Sequence, residues 1–252
     1  MADPRSGQIE WFSPDPRAVV PLEPGALHFS KSLRQRVRSG RFTVTTDQAF
    51  SGVVRACARP RPYARQTWID ARIIDAYEAL HEAGHAHSVE AWLPKSKADA
   101  LAEQWESRKS RTKASPRRKA RHRDDESWPI VQASRDHATD VHGGVRAEQS
   151  PWVLVGGLYG VHIGSAFFGE SMFSAPQFGG TDASKVCFVH LVAHLRARGF
   201  RLLDSQFAND HMAQFGISEI SREAYLEQLE LATRRATSWA PWNAGPGDAA
   251  ID

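Results

Sequence analysis

Two short segments carry side chains that could steady an amine beside a reacting carbonyl. Gly169-Glu170-Ser171-Met172-Phe173 places an acid between aromatic residues. Leu202-Leu203-Asp204-Ser205-Gln206 places an acid and an amide two residues apart. On a strand that spacing points Asp204 and Gln206 to one face and Leu203 to the other. Facing one way beside a third polar group, they could orient a nucleophilic amine; equally, they could satisfy buried backbone. A third segment, His81-Glu82-Ala83-Gly84-His85, matches the zinc-protease pattern HExxH. Its context argues against that chemistry. Gly84 belongs at a helix C-terminus, which takes His85 off the i+4 position, and His87 is too close to be a third ligand. His81 then suits a helix end, His85 and His87 suit turns, and no metal is expected.

These segments need elements to position them. Residues 11–25 hold four prolines and read as extended chain with turns. Ser30 to Arg38 reads as a short basic amphipathic helix, and Arg41 to Thr45 as a strand. Thr46-Asp47 looks like a cap for a helix over residues 48–57. A second helix is expected from Asp70 to Ala83, ended by Gly84. Ser88 to Trp92 alternates as a strand. Trp152 to Ile163 and Ser165 to Phe173, joined at Gly164, suggest a hairpin whose glycines mark bulges or close backbone approach. Thr181 or Asp182 should cap a helix running to Arg198, Phe200 to Phe207 follows as a strand, and a last helix covers about Ser221 to Thr237.

With 252 residues, 41% of them hydrophobic, the chain can bury one medium core, with or without an insertion. The net charge of +3 is compatible with a polyanionic partner. Two cysteines, Cys57 and Cys187, make no framework and fit a reducing cytoplasm. No apolar run approaches the roughly 18 residues of a membrane span, and Met1 to Glu10 lacks a signal-peptide pattern. Residues 107–123 contain nine Lys or Arg and no acid. We read residues 93–151 as a basic, largely flexible insertion, either a solvated loop or an auxiliary RNA-binding arm.

The segments WFSPDPRAVVPLE, LHFSKSLR, TWI, AYEALHEAGHAHSVEAW, LVGGLYGVHIGSAFFGESMFS, DASKVCFVHLVAHLRARGFRLLDSQ and HMAQFGISEISREAYL occur in this order. Together they resemble the leucyl/phenylalanyl-tRNA–protein transferases, from about Trp11 to Leu229 apart from the insertion. The resemblance implies an α/β (α+β) fold, a GNAT-like mixed sheet flanked by helices, over residues 16–92 and 152–243. Residues 1–15 would be a remnant of the family's small N-terminal domain, most of it missing here or lost to a misassigned start at Met1.

It also implies a function: transfer of Leu, Phe or Met from aminoacyl-tRNA to an N-terminal Arg or Lys of an acceptor protein. The product would be an N-degron for proteolysis, made in the cytoplasm by a monomer, away from any membrane, without cofactor. Glu170, Asp204 and Gln206 fall at the family's polar active-site positions. Trp68 falls where the family stacks the tRNA's terminal adenosine, a sound use of an aromatic ring. Leu158, Phe167, Met172, Phe188, Leu191 and Leu203 match its amino-acid pocket. Lys31, Arg34, Arg36, Arg38 and Arg41 resemble its basic patch, which would contact tRNA phosphates. Asp204 could act as a base through Gln206 or as an electrostatic support. The alternatives are another tRNA-dependent or acyl-CoA-dependent transfer on the same fold, or an inactive RNA-binding relative.

Overall fold

A mixed sheet organises the chain because its apolar residues alternate toward two separate helical layers. The computed structural model describes residues 8–60, 67–112, 131–132, 151–208 and 210–242. Its strands are β1 (Arg17–Val20), β2 (Thr43–Thr46), β3 (Ala86–Pro94), β4 (Val131–Gln132), β5 (Trp152–Ile163), β6 (Ala166–Ser174), β7 (Leu202–Gln206) and β8 (Ser218–Ile220). The order is β2-β3-β5-β6-β7-β1-β8, with β4 pairing β5 off this path. All neighbours are antiparallel except β6 and β7.

The helices are α1 (Lys31–Arg38), α2 (Phe50–Cys57), α3 (Ala71–Glu82), α4 (Lys95–Thr112), α5 (Ala183–Arg198), α6 (Asp210–Ala213) and α7 (Arg222–Thr233). Ser30, Asp70 and Ser221 cap α1, α3 and α7, each accepting a backbone N–H three residues on. Gly199, left-handed at φ 75°, ends α5. On one face α5 and α1 cover Val89, Leu93, Val155, Leu158, Phe167 and Leu203. On the other, α2 and α3 cover Trp92, Leu154, Tyr159 and Phe173, while α7 brings Tyr225 against Val19, Ala166 and Leu202.

The hairpin glycines serve close approach as expected. A Cβ on Gly156 would lie 2.4 Å from the Cβ of Ala183, so its absence lets α5 start directly on β5. A Cβ on Gly160, at a register shift in the β5–β6 pair, would lie 2.4 Å from the Phe167 ring.

Several local expectations are corrected. The Pro-rich opening contributes β1, which is inserted between β7 and β8. Asp47 does not cap α2. It is left-handed, at φ 57°, and its carboxylate accepts the Ser88 N–H at 2.8 Å and contacts His87. The N–H groups of Gln48 and Ala49 instead meet Glu90, a fully buried acid on β3, at 3.3 and 3.4 Å. Thr45 and Ser88 hydroxyls also donate to Glu90. Burial pushes its carboxyl up to about 7 despite those donors. Asp182 makes no side-chain cap for α5; Ser174 accepts the Ser184 N–H at 3.0 Å instead.

After β3 the chain continues as α4, so residues 95–112 are helical. Most of the basic run lies outside the described residues, as do residues 1–7 of the segment read as an N-terminal remnant. Near the other end, residues 236–242 fold back over the sheet. Thr46 and Trp242 exchange hydrogen bonds of 2.6 and 2.7 Å, and the Trp239 carbonyl meets His194 Nε2 at 2.7 Å. No helix among the described residues is long and apolar enough to cross a membrane.

Candidate active site

The polar groups converge where the parallel strands separate. β6 and β7 pair only from Ala166↔Leu202 to Phe168↔Asp204, yet both strands run on. Just past the last pair, Gln206 Nε2 donates to Glu170 Oε2 at 3.0 Å and to the Gly169 carbonyl at 3.2 Å. Gln206 is left-handed, at φ 67°, a sparsely populated conformation for a non-glycine residue. Asp204 Oδ1 holds it there by accepting the Gln206 backbone N–H at 2.7 Å.

Asp204 is fully buried and fully occupied. Arg17 clamps it through Nε at 3.1 and 3.2 Å and through Nη2 at 2.7 Å. The Tyr225 hydroxyl donates to Oδ2 at 2.7 Å, and the Arg17 guanidinium lies 5.0 Å from the Tyr225 ring centre. Burial works to lower the Arg17 pKa, but its bond and charge attraction to Asp204 leave it raised. Burial and then the bond to Asp204 raise Tyr225, which therefore stays a donor. Glu170 is held differently. Burial raises its carboxyl above the usual range, against hydrogen bonds from Tyr77 on α3 and from Gln206. Burial also raises Tyr77, and Glu170 adds to the effect. The line Tyr77–Glu170–Gln206–Asp204–Arg17 thus runs across the end of the parallel pair, with Tyr225 beneath it.

The structure brings Glu170, Asp204 and Gln206 together, and joins to them Arg17, Tyr77 and Tyr225, which the sequence did not single out as site residues. Each lies in a motif already singled out, in WFSPDPRAVVPLE, AYEALHEAG and SREAYL. Only the type of residue, a cation and two phenols available to buried carboxylates, could have marked them.

The apolar group lies elsewhere. Leu158, Phe167, Phe188, Leu191 and Leu203 are at most 4% exposed and belong to the α5-side core; half-buried Met172 packs against it. Leu158 pairs with Met172, and Phe167 with Leu203. Leu203 faces α5, while Leu202 and Asp204 on either side of it face α7. The polar line and the apolar group therefore occupy opposite faces of the sheet. Trp68 is half-buried and packs with Tyr77 against the α2–α3 cluster, on the polar side.

The five basic residues are not one uniform patch. Lys31 and Arg38 are exposed on α1. Arg34 donates to the Phe29 carbonyl at 3.1 Å. Arg36 comes within 3.9 Å of Asp182, and Arg41 donates to the Gly179 carbonyl at 2.9 Å. Burial, then Arg36, lowers the Arg41 pKa. Arg36 and Arg41 thus converge at the start of α5. The HExxH histidines separate as expected: Gly84 is left-handed, at φ 79°, and exposed His85 continues into β3.

A family model described as leucyl/phenylalanyl-tRNA protein transferase matches residues 21–101 and 132–230. The gap between the two matched stretches falls inside the segment read as an insertion. Relatives bearing that same description include one from Paramagnetospirillum magneticum, 39% identical over 94% of this chain and 83% of its own length. Another, from Salinibacter ruber, is 36% identical over 96% of this chain and 77% of its own length. A third, from Chlorobaculum parvum, is 38% identical over 92% of this chain and 87% of its own length.

Proposed function

The chain belongs to the leucyl/phenylalanyl-tRNA–protein transferase family, and from that premise we propose how its residues carry out aminoacyl transfer from tRNA to a protein N-terminus. The donor is Leu-, Phe- or Met-tRNA, and the acceptor is a protein beginning with Arg or Lys. The product is a protein with a new destabilising N-terminal residue, made by a monomer in the cytoplasm. The core is a GNAT-like sheet, a reading supported by its mixed strand order and the parallel pairing of β6 with β7.

The observation that carries the mechanism is the saturation of Asp204. Both its oxygens already accept charged or hydroxyl donors and a backbone N–H. A carboxylate so occupied is a poor proton acceptor, so Asp204 positions Gln206 and does not act as the base. Gln206, its amide nitrogen committed to Gly169 and Glu170, turns its carbonyl oxygen to an N–H of the incoming amine. Glu170 receives the donor's α-amino group or a ribose hydroxyl. The acceptor amine has an ordinary pKa of about 7.7–8, so roughly a tenth is neutral at pH 7 and no strong base is required.

The neutral nitrogen attacks the ester carbon, the carbon–oxygen bond to the ribose breaks, and a proton passes from nitrogen to the departing ribose oxygen. The ester is already activated, and proximity supplies much of the rate. The parting of β6 and β7 offers the route by which the donor's side chain reaches Met172 and the apolar residues behind it. Trp68 stacks the terminal adenosine beside the polar line, and the α1 cations with Arg41 hold tRNA phosphates.

A direct test gives the protein radiolabelled Leu-tRNA, Phe-tRNA or acetyl-CoA with peptides beginning in Arg, Lys or Ala. Label should reach the Arg and Lys peptides from the tRNAs alone. Label from acetyl-CoA would overturn the reading in favour of acyl-CoA transfer. Tight tRNA binding with no transfer would make the chain an RNA-binding relative.

A further inference from the structure

A second cluster of titratable side chains stands apart from the polar line. Asp47 follows β2, His81 ends α3 and His87 opens β3; one ligand atom from each lies within 4.8 Å of the others. Each is held by contacts of the kind that orient metal ligands. His81 Nδ1 lies 2.7 Å from the Ala86 carbonyl and so donates to it, which leaves Nε2 as its lone-pair nitrogen. Its ring stacks on Phe50 at 4.2 Å, with the planes 4° apart. His87 Nε2 meets His162 Nδ1 at 3.0 Å, and Nδ1 meets Asp47 Oδ2 at 2.8 Å. Trp239 stacks on the His87 ring at 4.5 Å. The other Asp47 oxygen is pinned by the Ser88 N–H. Metal-bound imidazoles characteristically commit their second nitrogen to such an acceptor, which fixes tautomer and ring orientation.

We infer that Asp47, His81 and His87 form a binding site for a borderline divalent cation of the Zn2+ type. Two imidazoles and one carboxylate suit Zn2+, Co2+ or Ni2+; they do not suit Ca2+ or Mg2+, which take oxygen sets. Zn–N bonds of about 2.0–2.1 Å in a tetrahedron set ligand atoms about 3.3 Å apart. His87 and Asp47 would spread by about 0.5 Å, and His81 would close by at most about 1.5 Å, leaving the fourth position to water.

The site is not the HExxH pair. It uses the first histidine of that pattern but replaces the second, which lies beyond the helix end, with His87 and an acid from a different part of the chain. The bound ion would tie the turn after β2 to the C-terminal end of α3 and the start of β3. The same helix carries Tyr77, so its closing affects the polar line only through α3.

The experiment titrates the metal-stripped full chain with Co2+ and then Zn2+, following visible absorption, calorimetry and thermal unfolding. The expected result is one Co2+ per chain with the intense visible bands of a low-coordinate site, displaced by Zn2+. Zn2+ at about 100 times its Kd should raise Tm by roughly 5–10 °C. Asp47→Asn, which suits the left-handed backbone there, and His81→Gln should each weaken binding by about tenfold or more. His85→Ala, at an exposed position, should leave it unchanged. Loss of binding in His85→Ala matching that in His81→Gln would return the site to HExxH. Equal Co2+ affinity in all three variants and the parent would overturn it, as would no saturable binding. Circular dichroism of each metal-free variant separates lost binding from lost folding.

Discussion

The two faces of the sheet are built by different means. The α5 face is a continuous apolar cluster in which Leu158, Phe167 and Leu203 interdigitate with Phe188 and Leu191. The opposite face carries two acids, Asp204 held by an arginine and a phenol and Glu170 held by a phenol and an amide. Apolar packing is non-directional and tolerates exchange of similar volumes. A buried charge network tolerates little, because removing one member strands the rest. Fold and chemistry are thus divided across one sheet, and adjacent residues of β7 belong to different sides: Leu203 to the packing, Asp204 to the network.

Substitutions on β7 are the sharpest way to break that contrast. Asp204→Asn should lower kcat/KM for transfer from Leu-tRNA by about 100-fold, the cost of misplacing Gln206. It should also destabilise the fold, by up to about 3 kcal/mol, by leaving half-buried Arg17 without its counter-charge. Urea unfolding and single-turnover rates measure the two effects. If Asp204 only positions Gln206, the residual activity keeps the parent's pH profile; a vanished ionisation would make Asp204 the base. Leu203→Ala, one residue away, should cost about 2–5 kcal/mol through transfer and cavity terms. Its kcat on tRNA should change far less than that of Asp204→Asn.

How much of this division could be read from residues alone differs between the faces. The hairpin, the capped helices α1, α3 and α7, and the pairing of Asp204 with Gln206 follow from local pattern and turn chemistry. The partners of Asp204 do not. Arg17 is 187 positions away, on a strand so short and Pro-flanked that it reads as irregular chain. Asp47 looked like a helix cap because Thr-Asp before an apolar run usually is one; the cap is instead Glu90, 42 residues from Gln48. Long-range pairing leaves no periodic trace, so the packed face was more legible than the charged one.

Glu90 tests the contrast from the α2 side, where it is a buried acid held by uncharged donors alone. Its folded pKa of about 7 stands above the usual carboxylate value of about 4.3. The stability tied to its proton is therefore full below pH 4 and is lost as pH rises through 7. The parent should lose about 3 kcal/mol across that window from this group. Glu90→Gln, which imitates the protonated acid, should flatten the dependence, so that parent and variant unfolding midpoints lie together at low pH and separate as pH rises. A difference independent of pH would mean that Glu90 stays ionised throughout.

Smaller effects concern substrate contact. Trp68→Ala should weaken tRNA binding by about 1–3 kcal/mol while Trp68→Phe retains most of it. Replacing Lys31 and Arg38 together by Ala should shift the slope of log K against log salt by about 1.5, with little change in kcat.

Arg17 and Asp204 have one more consequence, for synthesis on the ribosome. The cation is translated early and must wait for almost two hundred residues before its acid emerges, and slightly longer for Tyr225 and β8. Until then β1 has neither neighbouring strand. The polar line therefore cannot assemble until β7, β8 and Tyr225 have emerged, because these later segments complete β1.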